Sequence, residues 1–194
     1  MAFILTSLTR TIAAGLILLI LIAFIFGDVD ISEPAWIAFF FRWLHVIAGV
    51  MWIGLLWYFN FVQIPSMPKI PDEQKPAISK VIAPEALFWF RYSALATVVT
   101  GLIVAWINGY GHQALMISDG FVAIGIGMWL AIIMAINVWF IIWPNQKKAL
   151  GMIQVDQDQK VKAAKLAMLT SRINTLLSFP MLYLMVAQQN VGLG

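Results

Sequence analysis

The chain has 194 residues, of which 62% are hydrophobic and 11% charged, and its formal net charge is +3. A soluble domain of this size cannot bury so much apolar surface, so the composition excludes an ordinary water-soluble domain and indicates a polytopic membrane protein. Cysteine is absent, which excludes disulfides, thiolate metal sites, iron–sulfur clusters and covalently attached c-type haem within this sequence.

Five apolar segments follow one another along the chain, and each is long enough to cross a bilayer core of roughly 30 Å as a helix. The predicted helices cover residues 8–26, 35–63, 85–108, 121–143 and 166–188. No small-residue cleavage site follows the first segment, which predicts a retained helix rather than a signal peptide. The sequence therefore predicts one all-α transmembrane domain over residues 1–194, with helices 2 to 5 forming a four-helix bundle.

The charged residues outside these segments orient the chain. Lysine and arginine stand at the start of the first helix, at Arg10, and in the loops that follow the second and fourth helices. The charged residues of the other two connections are all acidic: Asp28, Asp30, Glu33 and Asp119. The positive-inside rule then predicts a cytoplasmic N-terminus and an extracytoplasmic C-terminus. Residues 154–165 fit either a helical extension over the cytoplasmic face or a solvated charged stretch.

Small residues recur every four positions on two helices. One series is Ser93, Thr97, Gly101 and Ala105, and the other is Ala123, Gly127, Ala131 and Ala135. Small side chains let helices approach closely in lipid, so both series are predicted to face other helices.

The second helix carries a polar and small stripe at helical spacing. Its members are Ala38, Arg42, His45, Gly49, Trp52, Leu56, Asn60 and Gln63. Polar groups exposed to hydrocarbon are costly, so this stripe is expected to face the bundle interior or a cavity. His45 lies near the middle of the helix, where a neutral imidazole can hydrogen-bond another helix, ligate a haem iron, or relay protons or act on a substrate.

Three neighbours of His45 are candidate cofactor contacts. Gly49 leaves a flat space beside His45, as either a porphyrin or tight helix packing needs, and Trp52 lies deeper on the same face. Arg42 fits either a partner of a haem propionate or an anionic substrate, or an arginine that snorkels outward. His112 lies in a short loop and is expected to be solvated.

A second polar layer is predicted near the cytoplasmic boundary. It comprises Asn60, Arg91, Asn137, Arg172 and Asn174. No acidic residue stands at that depth to neutralise the two arginines, so they either snorkel or hold an anion such as a propionate, a lipid phosphate or an acidic substrate.

Three ordered motifs resemble the membrane domain of membrane-anchored urate oxidase, also called urate hydroxylase. Residues 42–54 (RWLHVIAGVMWIG) resemble its opening signature, residues 137–147 (NVWFIIWPNQK) its Pro-Asn-Gln motif, and residues 171–182 (SRINTLLSFPML) its last helix. The second helix is more distantly similar to those of membrane protoporphyrinogen oxidase and copper-resistance membrane proteins, where membrane histidines are associated with haem b.

The resemblance implies a membrane redox protein in the inner membrane of a bacterium. It implies haem b as the cofactor and His45 as an iron ligand. Because family members carry a cytochrome c domain, it also implies exchange of electrons with a separate cytochrome c. Family members have a further histidine near the position of Gly125, which this chain lacks. Bis-histidine ligation inside the membrane is excluded for this chain alone, and Met128 and Met134 are the other candidate ligands.

Two alternative functions stay open. One is a non-catalytic subunit of a larger respiratory or oxygenase complex, in which the polar stripe and the small-residue series bind partner helices. The other is an anion-binding or transport protein that uses Arg91 and Arg172. The lipid bilayer is the expected environment in every case, and nucleic acid is not an expected partner.

Overall fold

The computed structural model describes residues 2–27 and 30–191. In these ranges the chain forms helices and turns, with no strand. It divides into two compact units, Met1–Phe39 and Phe40–Gly194. The absence of strands confirms the predicted all-α fold for the described residues. Asp28, one of the acidic residues used to predict the orientation, lies outside them.

The first unit contains helix α1, Leu8–Phe26, which follows the short helix Ala2–Leu5. The span of α1 coincides with the predicted segment, and none of its residues is buried. A helix that is apolar on every side has no face suited to water, so its composition fits lipid.

Four long helices follow. Helix α2 is Pro34–Trp57 and continues from the first unit into the second, and the others are α3, Ala83–Ile107, α4, Val122–Ile136, and α5, Gln157–Ala187. Within the second unit, all four helices contribute to one apolar core. Its buried members include Trp52, Leu56, Leu87, Phe90, Met134, Val138 and Met181.

Helix α5 begins earlier than the predicted span. Its N-cap is Asp156, whose carboxylate accepts a hydrogen bond of 2.7 Å from the backbone N–H of Gln159. This cap satisfies one of the unpaired donors at the helix start. Residues 157–165 of the charged stretch are therefore the first part of α5, and nearly all of their side chains are exposed, so both interpretations of this stretch fit; its position over the cytoplasmic face stays a prediction.

Three π-helical stretches, Tyr58–Gln63, Ile78–Ile82 and Asn137–Ile142, were not predicted. Each ends two residues before a proline, at Pro65, Pro84 or Pro144. A proline has no N–H for the carbonyl four residues earlier, and its ring crowds that carbonyl. In all three cases that carbonyl belongs to the π-helical stretch, so the wider turn is the local response to the proline.

Both small-residue series pack as predicted. Seven of the eight members are buried and Gly101 is half-buried. A Cβ added to Gly127 would lie 3.3 Å from the Cβ of Leu184, so α4 and α5 approach closely at this glycine. The packing of α4 on α5 and of α3 on α4 fits the role of small residues between membrane helices.

Four helical segments have the length and hydropathy of membrane spans: Leu8–Phe26, Pro34–Lys69, Lys75–Ile107 and Val122–Ala149. This finding is consistent with a membrane protein. Helix α5 is not among the four, because polar residues such as Arg172 and Asn174 lower its mean hydropathy. The predicted fifth span and the predicted orientation stay predictions.

Candidate functional site

A cavity of about 350 Å³ lies among α2, α3, α4 and α5 in the second unit. Its walls are mainly apolar. The four residues predicted to contact a cofactor, Arg42, His45, Gly49 and Trp52, all line it. The structure thus brings these four residues to one cavity, and their role toward a ligand stays a prediction.

His45 is held by the backbone of α3. Its Nδ1 lies 2.8 Å from the carbonyl oxygen of Thr97. A carbonyl can only accept, so Nδ1 must carry the proton and donate. The hydroxyl oxygen of Thr100, 3.4 Å from Nδ1, is a weaker second contact. In this tautomer Nε2 keeps its lone pair, and no described residue donates a hydrogen bond to it.

The imidazole fits into the space left by a glycine on α3. A Cβ added to Gly101 would lie 2.8 Å from Cε1 and 3.0 Å from Nδ1 of His45, so the imidazole would have to shift to accommodate it. By contrast, a Cβ added to Gly49 would lie 3.9 Å from Thr97 Cγ2, an ordinary contact. Gly101, not Gly49, therefore makes room for the ring.

The lining of the cavity contains one unpaired donor and several thioethers. Trp52 is fully buried, and its indole N–H has no acceptor among the described residues. Such a donor costs free energy unless a ligand or water accepts from it. Met128, Met181 and Met185 also line the cavity, whereas Met134 lies in the core.

The other end of the cavity is more polar. Arg42 is exposed there, with Gln189 and Asn190 of the C-terminal turn and the ring of Tyr110. Burial raises the pKa of Tyr110, and the nearby charge of Arg42 acts in the opposite direction. Tyr110 stacks on Phe121 with ring centroids 6.0 Å apart, which fixes this part of the wall.

The asparagines of the predicted polar layer form two hydrogen-bonded pairs with side chains of α5. Asn60 donates 2.8 Å to the hydroxyl of Ser171, and Asn137 donates 2.8 Å to the side-chain oxygen of Asn174. These pairs connect α5 to the π-helical stretches that follow α2 and α4. The side-chain oxygens of Asn60 and Asn137 are buried without a donor among the described residues.

The two arginines of that layer occupy different environments. Arg91 is 8% exposed, donates 3.0 Å to the carbonyl of Leu87, and stacks on Trp143 with its guanidinium carbon 3.4 Å from the ring centroid. Arg172 is exposed on α5. Burial therefore distinguishes Arg91 from Arg172.

Two further predictions concern histidine. His112 is exposed in the short helix Gly111–Leu115, as expected for a solvated loop residue. Gly125, where the resembling family carries a histidine nearby, packs so tightly that a Cβ would lie 2.3 Å from the carbonyl oxygen of Ala114. Across the described ranges, no group of three histidine or acidic residues could hold a metal ion.

The cavity also involves residues that the sequence did not single out. Thr97 and Gly101 were predicted only as packing residues, although their positions in a small-residue series were a usable signal. Tyr110 and Gln189 lie outside every predicted motif of the site. They reach the cavity only through tertiary packing.

The fold and cavity together define an all-helical protein, in the described ranges, with four candidate membrane spans and an internal space suited to a small molecule. Residues 110–191 match a family model described as urate oxidase N-terminal. The matched part includes α4, α5 and the cavity residues Tyr110, Met128 and Met181, but not His45. It supports a relationship to urate oxidases. No curated protein and no solved structure matches the chain.

Proposed function

We propose that this chain is a membrane redox protein that binds haem b in the cavity, with His45 as a ligand of the haem iron. The observation that carries the proposal is the 2.8 Å hydrogen bond from His45 Nδ1 to the Thr97 carbonyl. Ligating histidines commonly donate their other ring nitrogen to a carbonyl, which fixes the tautomer and directs the remaining lone pair toward the metal.

The residues around His45 have the apolar character that a porphyrin site needs. The walls are apolar, the cavity of about 350 Å³ is within the usual range for small-molecule sites, and it is not closed, since Val46, Leu182 and Val186 on its wall are exposed. A ligand larger than the cavity can extend past these three side chains. The chemistry of the lining and this open side both favour the proposal.

The proposal gives a role to Arg42, to Trp52 and to two of the methionines that line the cavity. Arg42 pairs with a propionate at the polar end, and the indole N–H of Trp52 donates to an acceptor on the bound group or to a water. Met128 and Met181, which also line the cavity, could supply a thioether ligand to the iron. Haem b supplies reversible one-electron transfer when bound, while the apolar walls exclude bulk water and hold the imidazole still.

The proposed setting follows from the predicted orientation. With the polar end of the cavity on the extracytoplasmic side of a bacterial inner membrane, electrons pass to or from a separate cytochrome c on that side. Arg42 and the C-terminal turn lie at this end. The four candidate membrane spans support a membrane location, and the urate oxidase match supports a urate-related protein.

An absorbance spectrum tests the haem proposal. The full chain, purified in detergent after expression with a haem precursor, is expected to show a Soret band and about one haem per chain. His45→Ala is expected to lose the band, and added imidazole to restore part of it, because free imidazole can replace the missing ligand. His112→Ala is the matched control, since His112 is exposed and lies outside the cavity lining. A colourless wild-type chain, or equal haem content in both variants, contradicts the proposal.

A purine anion such as urate is a second candidate occupant of the same cavity. The match to the urate oxidase N-terminal family and the cationic, amide-rich end formed by Arg42, Gln189 and Asn190 favour it. A planar anion can accept from the guanidinium fork and from side-chain amides. Urate is expected to raise the melting temperature of the wild type but not of Arg42→Gln. Absence of stabilisation by urate argues against this candidate and leaves the haem test unaffected.

A further inference from the structure

Arg91 is a buried cation with little compensation from the chain. Its side chain is 8% exposed and its guanidinium donates to one carbonyl, Leu87, on its own helix. In the described ranges, no carboxylate lies within salt-bridge distance of it, because the only ion pair found there joins Lys75 to Asp72. Stacking on the ring of Trp143 offsets part of the cost of burying this charge, and an anion from outside the chain would offset more of it.

A second cation approaches the same aromatic ring. The guanidinium carbon of Arg91 lies 3.4 Å and Lys147 Nζ 5.6 Å from the ring centroid of Trp143. Two positive groups therefore lie close to one indole ring.

We propose that Arg91, Lys147 and Trp143 form a binding site for the phosphate group of an anionic lipid. The planar guanidinium offers paired N–H donors to phosphate oxygens, and the ammonium adds a second charge. The site is separate from the cavity, since none of these three residues lines it.

The surroundings of Arg91 favour a lipid over a soluble phosphate. Neighbouring side chains on α3 and on the stretch after α4 are large, apolar or aromatic, and exposed: Phe88, Trp89, Tyr92 and Phe140. Exposed aromatic residues next to basic residues are typical of the headgroup region. Lys147 and Lys148 also belong to the loop predicted to face the anionic cytoplasmic leaflet.

Lipid binding to the full chain in neutral detergent tests the site. Phosphatidylglycerol is expected to bind about tenfold more tightly than phosphatidylcholine, as counted by native mass spectrometry, and to raise the melting temperature. Arg91→Gln is expected to remove most of this selectivity. Lys147→Gln, at a less buried position, is expected to reduce it while leaving the fold intact, which keeps the test valid if Arg91→Gln folds poorly.

Arg172→Gln is the matched control, because it removes one positive charge from an exposed site on α5. It is expected to leave the preference for phosphatidylglycerol unchanged. An equal loss in Arg172→Gln and Lys147→Gln means that net charge alone attracts the lipid, and the site is refuted. Equal stabilisation by inorganic phosphate without lipid identifies a soluble phosphate and overturns the lipid assignment.

Discussion

The orientation of His45 depends on α3 more than on the helix that carries it. The Thr97 carbonyl fixes the ring tautomer, and the missing side chain of Gly101 provides the space in which the ring lies. A helix carbonyl has two lone pairs, so it can accept from an imidazole without losing its helical partner. One backbone oxygen and one glycine thus determine where Nε2 points.

Gly101→Ala is expected to displace the imidazole, because the added Cβ would lie 2.8 Å from Cε1 of His45. If haem binds through His45, haem content per chain should fall severalfold while helix content by circular dichroism stays near that of the wild type. Gly54→Ala on α2 is the matched control, since an added Cβ would meet nothing within 4 Å and Gly54 does not line the cavity. Equal haem content in the two variants would contradict the proposed ligand geometry.

The sequence identified the residues of α2 that line the cavity, but it did not identify the groups of α3 that position His45, and the reason is physical. His45, Arg42 and Trp52 were visible because polar and amphipathic side chains on a spanning helix need an interior partner. The decisive acceptor is a backbone oxygen, which every residue has, and the decisive space is an absent Cβ. Neither has a chemical signature beyond the small-residue series that contains Thr97 and Gly101.

At the scale of elements, asparagines connect α5 to α4 near a change in helical pattern. Asn174 is fully buried, donates 3.0 Å to the carbonyl of Met134 and accepts 2.8 Å from Asn137. The π-helical stretch begins at Asn137, so Asn174 bonds to backbone and side chain on either side of that junction. This arrangement fits side-chain hydrogen bonds between membrane helices.

Asn174→Leu is expected to destabilise the chain by about 1–3 kcal/mol, because it leaves the Met134 carbonyl and the Asn137 amide short of partners. Thr175→Val is the matched control next to it, since the Thr175 hydroxyl bonds only to the Ser171 carbonyl of its own helix. Reversible unfolding in mixed micelles measures the difference. A loss for Asn174→Leu no larger than that for Thr175→Val would show that the pair contributes little.

The positions of the helices could be predicted, but their internal irregularities could not. Hydropathy located α1 to its ends, but the continuous helical segments Pro34–Lys69, Lys75–Ile107 and Val122–Ala149 run past the predicted bounds, and α5 begins at Gln157 rather than Leu166. Pro65, Pro84 and Pro144 lie just outside the predicted segments. In the structure the chain continues as helix through each proline after a π-helical stretch, and hydropathy carries no signal for that local change in hydrogen bonding.

At the scale of the whole molecule, the number of spans determines which residues share a side of the membrane. With five spans, the polar end of the cavity and the acidic loop at Asp119 face the outside, and Lys147 and the start of α5 face the cytoplasm. With four, the C-terminal turn would return to the other side. The length of α5, Gln157–Ala187, is sufficient to cross, at roughly 1.5 Å per residue.

The absence of cysteine makes the orientation directly measurable, because any introduced thiol is unique. Asp119→Cys and Asn190→Cys stand at exposed positions before α4 and after α5, and Lys160→Cys is exposed near the start of α5. A membrane-impermeant maleimide is expected to label the first two in intact spheroplasts and the third only after lysis. Protection of Asn190→Cys in intact spheroplasts would show that α5 does not cross, and would remove the C-terminal turn from the outer end of the proposed site.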